Sequence, residues 1–354
     1  MKLVHTSDIH LDSPMTSKLS PREARERRRE LTESFRKLTE EATKIGASAV
    51  IIAGDLFDNE RVSARTIDSV MGIIENAEGI NFFYLPGNHE KNRIAESGVT
   101  IPENLIIFGS EWTTYRFGDI TISGCTEIKA GMFSSLNLTP DKINIAVLHG
   151  ELSDKTSAPD KIGLSELCTT NIDYLALGHY HSYSETEFAP GKRAVYSGTP
   201  EGRGFDEVGD KGYVIIDTDS GAVTSHFVKR STRTLHSVSV DVSGTDREIE
   251  IENRLSHAVS QIPHTDLVRA VLVGEYEPGV KRDTEALALR FKDRFFHFEV
   301  KDTSRMRISS DDYKNDKSLK GEFIRLVLSR EELCDTEKEA IIECGIRALA
   351  GEAL

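Results

Sequence analysis

The chain has 354 residues, 38% hydrophobic and 29% charged, enough to bury a full core and longer than one domain usually runs, so disorder is excluded as the default and a large plus a smaller domain are expected. No stretch approaches the ~20 consecutive apolar residues of a membrane span, and Met1-Lys2-Leu3-Val4 runs straight into strand-like sequence rather than a signal peptide, which points to a soluble, cytoplasmic protein with no membrane partner. The formal net charge of -14 disfavours a nucleic-acid partner without excluding one, because screening over ~8 Å leaves local patches and bound cations to decide the contact.

In chain order, the first apolar run of strand length, Leu3 to Thr6, ends in Ser7-Asp8-Ile9-His10. The mixed-charge segment Arg22 to Lys44 follows. On a helical wheel Arg22, Arg25, Arg29 and Arg36 fall on one face, and Leu31, Phe35, Leu38 and Ala42 on the opposite one. Ala49 to Ala53 ends in Gly54-Asp55. A helix over Ser63 to Asn76 then carries Ile67, Val70, Met71 and Ile74, apolar positions that serve either a core or an interface. Phe82 to Leu85 ends in Pro86-Gly87-Asn88-His89, Ile145 to Leu148 in His149-Gly150, and Tyr174 to Leu177 in Gly178-His179-Tyr180-His181. Strand-length runs mostly separated by helix-length segments predict an α/β fold. Thr114 to Phe117, turning at Gly118-Asp119 into Ile120 to Gly124, and Tyr213 to Ile216, returning as Ala222 to Val228, predict a second, more antiparallel sheet.

From Leu235 the pattern becomes strand (Leu235 to Val242), helix (Arg247 to Gln261), strand (Leu267 to Glu275), helix (Thr284 to Phe295) and strand (Phe296 to Val300), a small α+β unit. Two helices follow, Leu319 to Leu328 and Glu337 to Ala350, the second opened by a capping box of Thr336 with Glu339 and stopped by Gly351. The expected domains are therefore 1–230, 231–308 and a helical tail, 309–354. Cys125, Cys168, Cys334 and Cys344 are scattered without a Cys-x-x-Cys pair, which suits reduced thiols rather than a zinc knuckle or disulfide framework.

Ligand sites in α/β sheets gather beyond the carboxyl ends of strands, so five strand ends rich in Asp, His and Asn predict one crest. A phosphodiester resists attack, and one positioned general base contributes only ~10²–10⁴ in rate. Two metal ions ~3.5–4 Å apart clamp the phosphate and lower the pKa of a shared water towards ~7. Carboxylate, imidazole and amide ligands suit manganese, iron or zinc, and the absence of Cys disfavours a thiolate-bound structural zinc. Asp8 and His10 sit two apart, so on extended backbone both point to one face. Asp55 is the natural bridge, because its two oxygens and its charge hold two cations close together.

Asp-x-His, Gly-Asp, Gly-Asn-His, a later His-Gly and Gly-His-x-His, in that order, resemble the calcineurin-like metallophosphoesterases. That resemblance implies a four-layer αββα sandwich followed by a small α+β cap. By motif position Asp8, His10, Asp55 and His181 would bind the first metal, and Asp55, Asn88, His149 and His179 the second. His89 would face the scissile phosphate, stabilising the transition state or protonating the leaving oxygen. One branch is more similar, the SbcD-type nucleases and their double-strand-break-repair counterparts, through residues 5–14, Gly54-Asp55-Leu56-Phe57-Asp58, and Ser197 to Arg203 followed by Lys211-Gly212. This implies a manganese-dependent DNA exonuclease or endonuclease (iron or zinc being the alternative metals), with an SbcC-type coiled-coil ATPase as partner and homodimerisation through helices such as Ser63 to Asn76. One departure is Glu90 after Asn88-His89, where Asp is more usual.

The remaining positions keep more than one reading. Asp58 touches the phosphate or its water, or supports a ligand from behind, or caps the next helix. Arg22, Arg25 and Arg29 form a phosphate-tracking ridge or a solvated face. Arg203 contacts the DNA backbone, or its glycines merely permit a tight turn. His5, inside the first strand, is packed rather than ligating. The same fold serves other substrates, so the rival function is a nucleotide or small-molecule phosphodiesterase.

Overall fold

The computed structural model describes residues 1–15, 18–58, 62–87, 90, 94, 98–245, 247–276, 282–307 and 313–349. It divides into two compact units, Met1–His236 and Ser237–Leu354.

The first unit is built on two six-stranded mixed sheets. One contains β1 (Lys2–Thr6), β2 (Ala49–Ala53), β3 (Asn81–Leu85) and β4 (Leu105–Ile107), running parallel. The other contains β5 (Thr113–Phe117), β6 (Ile120–Gly124), β7 (Ile143–His149), β10 (Tyr174–Gly178), β11 (Ser184–Ala189) and β12 (Lys192–Tyr196). Between the last two groups β8 (Glu151–Ser153) and β9 (Lys161–Gly163) pair apart from both sheets. The hairpin of β13 (Gly212–Asp217) and β14 (Thr224–Lys229) lies against β1 in the first sheet. The two hairpins expected to form a separate antiparallel sheet thus extend different sheets. The cause is visible in β6 and β13, which are buried on both faces through most of their length and so take interior positions.

Period-2 alternation sorts the first sheet's side chains between two cores. Val4, Val50, Ile52, Phe82 and Tyr84 face the helices, whereas Leu3, Ile51, Ala53, Phe83 and Leu85 face the second sheet, meeting Ile122, Ile145, Val147 and Ala176. On the helix side lie α1 (Pro21–Lys44) and α2 (Ala64–Glu75). Helix α1 starts at a capping box of Ser20 with Glu23, has Pro21 in its first turn, and buries Leu31, Phe35, Leu38 and Ala42 as the wheel predicts. Ile67, Val70, Met71 and Ile74 of α2 are buried in the same core, so these side chains pack the protomer rather than a partner. The outer face of the second sheet is covered by a 3₁₀ turn (Met132–Ser135) and α3 (Leu164–Leu167), completing the four-layer αββα sandwich.

The second unit carries a three-stranded sheet of β15 (Leu235–Asp241), β16 (Leu267–Val273) and β18 (His297–Asp302), with β17 (Glu275–Tyr276) and β19 (Arg305–Met306) paired beside it. Its helices are α4 (Glu248–Ala258), α5 (Thr284–Phe291), α6 (Leu319–Leu328) and α7 (Asp335–Leu349). The last two add Ile324, Val327, Ile342 and Ile346 to the cluster that contains Val268, Leu272 and Leu287. Helix α7 starts ahead of the predicted box: the Cys334 amide donates to Glu337 at 2.9 Å, and Gly351 lies outside the described residues. All four cysteines are free. Among the described residues no helix is long and apolar enough to cross a membrane.

Candidate metal centre

Beyond the ends of β1 and β2 the chain stays zipped. The Asp8 amide donates to Gly54 O (3.1 Å), His10 to Asp55 O (3.0 Å) and Leu11 to Leu56 O (2.9 Å), and Leu11 bridges Phe57. Asp8, His10, Asp55 and His179 take positive φ of 51°, 49°, 49° and 109°. Non-glycine residues adopt this region only where their surroundings hold them there, and such strain gathers at functional sites. The extended backbone assumed for Asp8 and His10 is therefore replaced by left-handed turns that bring both side chains inward. Glycine precedes Asp55 and Asn88 for a steric reason. A Cβ on Gly54 would lie 2.0 Å from His149 Nδ1, and one on Gly87 would lie 1.9 Å from Asp55 Oδ1.

Two groups of ligand atoms converge, Asp8–His10–His181 and Asp8–Asp55–His149, the atoms of each lying within 4.8 Å of one another. Asp55 Oδ2 is 3.4 Å from His149 Nε2 and 3.9 Å from His10 Nε2, between the two. Asp8 is fully buried and accepts from Ser7 Oγ (2.5 Å) and from the His179 amide (3.1 Å). Burial pushes its carboxyl up, against the pull of His149, the Ser7 hydroxyl, His181 and His10. The His179 ring stands edge-on to His149 with centroids 5.6 Å apart. Asn88 and His89 lie outside the described residues.

The hydrogen bonds behind the rings decide what they present forward. His149 Nδ1 sits 2.9 Å from Ala53 O. A carbonyl only accepts, so Nδ1 carries the proton and Nε2 turns a lone pair towards Asp55. His181 Nδ1 donates to Glu207 Oε1 at 2.7 Å, whereas His10 Nδ1 lies 3.4 Å from Asp58 Oδ1 without making a hydrogen bond. The Nε2 atoms of His10 and His181 then face each other at 3.3 Å. Lone pairs and carboxylate oxygens converging in this way repel unless a positive charge sits among them. The same convergence acts on the rings' basicity: burial is the largest influence and opposes protonation of His149, yet the Asp55 hydrogen bond, the Asp8 and Asp55 charges and the Ala53 carbonyl hold it up at about 9. His181 is raised in the same way, by Glu207 and Asp8 against burial. This donor set fits divalent metal ions, whose histidine ligands characteristically donate their far N–H to a carboxylate or a backbone carbonyl.

Asp58 and Arg203, each with a phosphate contact among its readings, are turned to each other. Arg203 Nη1 donates to Asp58 at 2.6 Å, and Nη2 to Glu207 at 2.8 Å, so one guanidinium cross-links the carboxylates behind His10 and His181. Glu207 also accepts from the Arg203 amide; burial works against its charge, but His181 and Arg203 hold it down at about 2. Lys211 Nζ caps His181 O at 2.7 Å. Arg22, Arg25 and Arg29 are exposed along α1, whereas Arg27 is buried at 1% exposure, reaching Gly202 O (2.7 Å) and Glu201. Glu90 is buried as well, accepting from the Phe57 amide at 2.7 Å and from the Tyr84 hydroxyl, and burial with the Asp55 charge pushes its carboxyl up to about 8. Sequence reasoning passed over Glu207, Arg27 and the role of Glu90. Only the Arg203 to Glu207 spacing and the Glu90 departure carried a signal.

A sandwich of two mixed sheets with buried carboxylates and outward-braced histidines at one crest defines a metal-dependent hydrolase of phosphate esters. Residues 1–183 match the family model described as calcineurin-like phosphoesterase, and the chain belongs to that family. It is 27% identical over 262 residues to the Bacillus subtilis (strain 168) protein named uncharacterized metallophosphoesterase YhaO, covering 69% of this chain and 64% of that protein. It is also similar to proteins named DNA double-strand break repair protein Mre11: 25% identical over 288 residues in Methanopyrus kandleri (72% of this chain, 62% of that one), and 25% over 252 residues in Thermoplasma acidophilum (64% of each). The chain thus spans less than two thirds of the length of each of these relatives.

Proposed function

We propose that this protein is a DNA nuclease that hydrolyses phosphodiester bonds with two divalent ions, manganese first among them. The observation that carries the reading is the pair of ligand groups sharing Asp8, with Asp55 reaching towards both His10 and His149. Asp8, His10, Asp55 and His181 hold one ion, and Asp55, Asn88, His149 and His179 the other. When bound, such a pair neutralises phosphate charge and acidifies a water. Asp55 keeps the two positions close, Glu207 fixes the face that His181 turns inward, and His89 protonates the leaving oxygen. Arg203 acts on His181 through Glu207. Arg22, Arg25 and Arg29, exposed on α1, are the residues free to follow a DNA backbone.

The similarity to proteins named for double-strand-break repair supports DNA as the substrate. An SbcC-type ATPase partner, homodimerisation and a cytoplasmic setting belong to the same proposal through the motif resemblance alone. A nucleotide or small-molecule phosphodiesterase is the second reading, favoured by comparable identity to a metallophosphoesterase whose name carries no DNA role. The test is manganese-dependent degradation of end-labelled single- and double-stranded DNA, with His89→Ala as control and an aryl phosphodiester in parallel. DNA cleavage lost in the mutant is expected. Aryl-ester turnover without DNA cleavage moves the assignment to the small substrate.

A further inference from the structure

A cavity of about 750 Å³ lies between the C-terminal half of α1 and the β13–β14 hairpin, lined by residues that the metal centre does not use. Lys37, Lys44, Lys229 and Arg230 line it, against two carboxylates, Glu40 and Glu41. Arg230 meets Glu41 at 3.4 Å, Lys44 meets Glu41 at 3.9 Å, and Lys229 reaches Asp210 at 2.5 Å. In a chain of net charge -14, this lining gathers four cations against two carboxylates, with Asp210 and Glu33 pairing Lys229 and Lys37 from outside it. Its deeper wall holds the second feature. Tyr213 is 2% exposed with its hydroxyl beside the Arg230 guanidinium, and the buried hydroxyl of Ser231 has no hydrogen-bond partner.

Buried hydroxyls ordinarily find a partner, and phenylalanine would fill the Tyr213 core position without a polar atom. Two inward donors with cations at the rim call for an acceptor that is tetrahedral and multiply charged. A carboxylate offers two coplanar oxygens, whereas a phosphate offers oxygens in several directions and enough charge for both Arg230 and Lys229. We propose that this cleft binds a small phosphorylated anion, with the Tyr213 and Ser231 hydroxyls donating to its oxygens and Arg230 and Lys229 neutralising it. The volume lies within the range of small-ligand pockets, so a mononucleotide fits as well as inorganic phosphate. The site stands independently of the reaction proposed above.

Equilibrium dialysis of labelled inorganic phosphate, and separately of dAMP, against the full metal-loaded chain tests this. Wild type and Asp55→Asn, which disables the metal centre, should retain one common saturable class of sites. Arg230→Ala should weaken that class by about tenfold, the worth of one charge-assisted hydrogen bond, and Tyr213→Phe by roughly threefold while leaving the ring in the core. Ser231→Ala, which alters no core side chain, gives the same reading should Tyr213→Phe fold poorly. Tighter binding of dAMP than of phosphate supports the site as one for a nucleotide, and equal binding supports it as one for the phosphate group alone. Binding that vanishes in Asp55→Asn, or that is unmoved by both Arg230→Ala and the hydroxyl variants, overturns the proposal.

Discussion

Replacing Glu207 tests whether the carboxylates behind the histidines set metal affinity. Glu207 Oε1 accepts from His181 Nδ1 at 2.7 Å, and the same carboxylate takes Arg203 Nη2 at 2.8 Å and the Arg203 amide at 2.7 Å. Glu207→Ala removes the acceptor that fixes the His181 tautomer and leaves Arg203 with Asp58. Losing an outer partner of a ligating histidine costs roughly 10–100-fold in metal affinity, or about 1.4–2.7 kcal/mol. The loss should fall on the Asp8–His10–His181 group, because His149 is held separately by Ala53 O. Glu207→Gln keeps an oxygen for His181 but loses the charge facing Arg203, so its affinity should fall between wild type and Glu207→Ala. Calorimetric titration of the metal-stripped protein with Mn²⁺ resolves the two sites. Wild-type affinity in Glu207→Ala, or equal weakening of both sites, would refute the reasoning.

Asp55→Asn should lose metal binding and activity together, whereas His89→Ala should keep both metals, counted by elemental analysis, while turnover falls steeply; equal metal loss in both variants would undo the division of roles. Gly54→Ala forces a Cβ to 2.0 Å from His149 Nδ1 at φ 93°, so chemical denaturation should show a loss of at least about 2 kcal/mol and Mn²⁺ affinity should drop with it. Burial lowers the His5 pKa to about 3, partly opposed by the Leu177 backbone, so the folded state holds the ring neutral. The unfolded state binds the extra proton below about 6.5, which means His5 stabilises the fold above that pH and its contribution drains away as pH falls towards 3. Between pH 6.5 and 4 the wild type should therefore lose on the order of 3 kcal/mol more unfolding free energy than His5→Gln, and parallel pH profiles for the two would contradict this.

The ligands were legible in the sequence because their chemistry is local: each motif sits at the end of one apolar run, and β1, β2, β3, β7 and β10 all formed where those runs lie. How the ends meet was not legible. The crest is closed by two sheets, and nothing in Tyr213 to Ile216 or Ile120 to Gly124 says which sheet each hairpin joins until both faces of β13 and β6 are seen to be buried. The α2 positions Ile67 to Ile74 show the same ambiguity, since an apolar stripe reads identically whether it covers a sheet or a partner.

The outer residues were hidden for a different reason. Arg27 looks like any arginine of a charged helix, and the wheel that placed Arg22, Arg25 and Arg29 on one face gave no cause to bury it. It is buried because Gly202 O, Glu201 and Glu30 surround it, partners reached mostly through the fold. The hold continues from residue to residue: Arg27 fixes the loop at Gly202, Arg203 in that loop clasps Glu207 and Asp58, and those carboxylates face His181 and His10. A helix that reads as a solvated surface is thereby tied to the aim of the His181 imidazole. Motif spacing specifies the atoms that meet a metal, but the precision with which they meet it resides in charged residues whose partners lie far away in sequence.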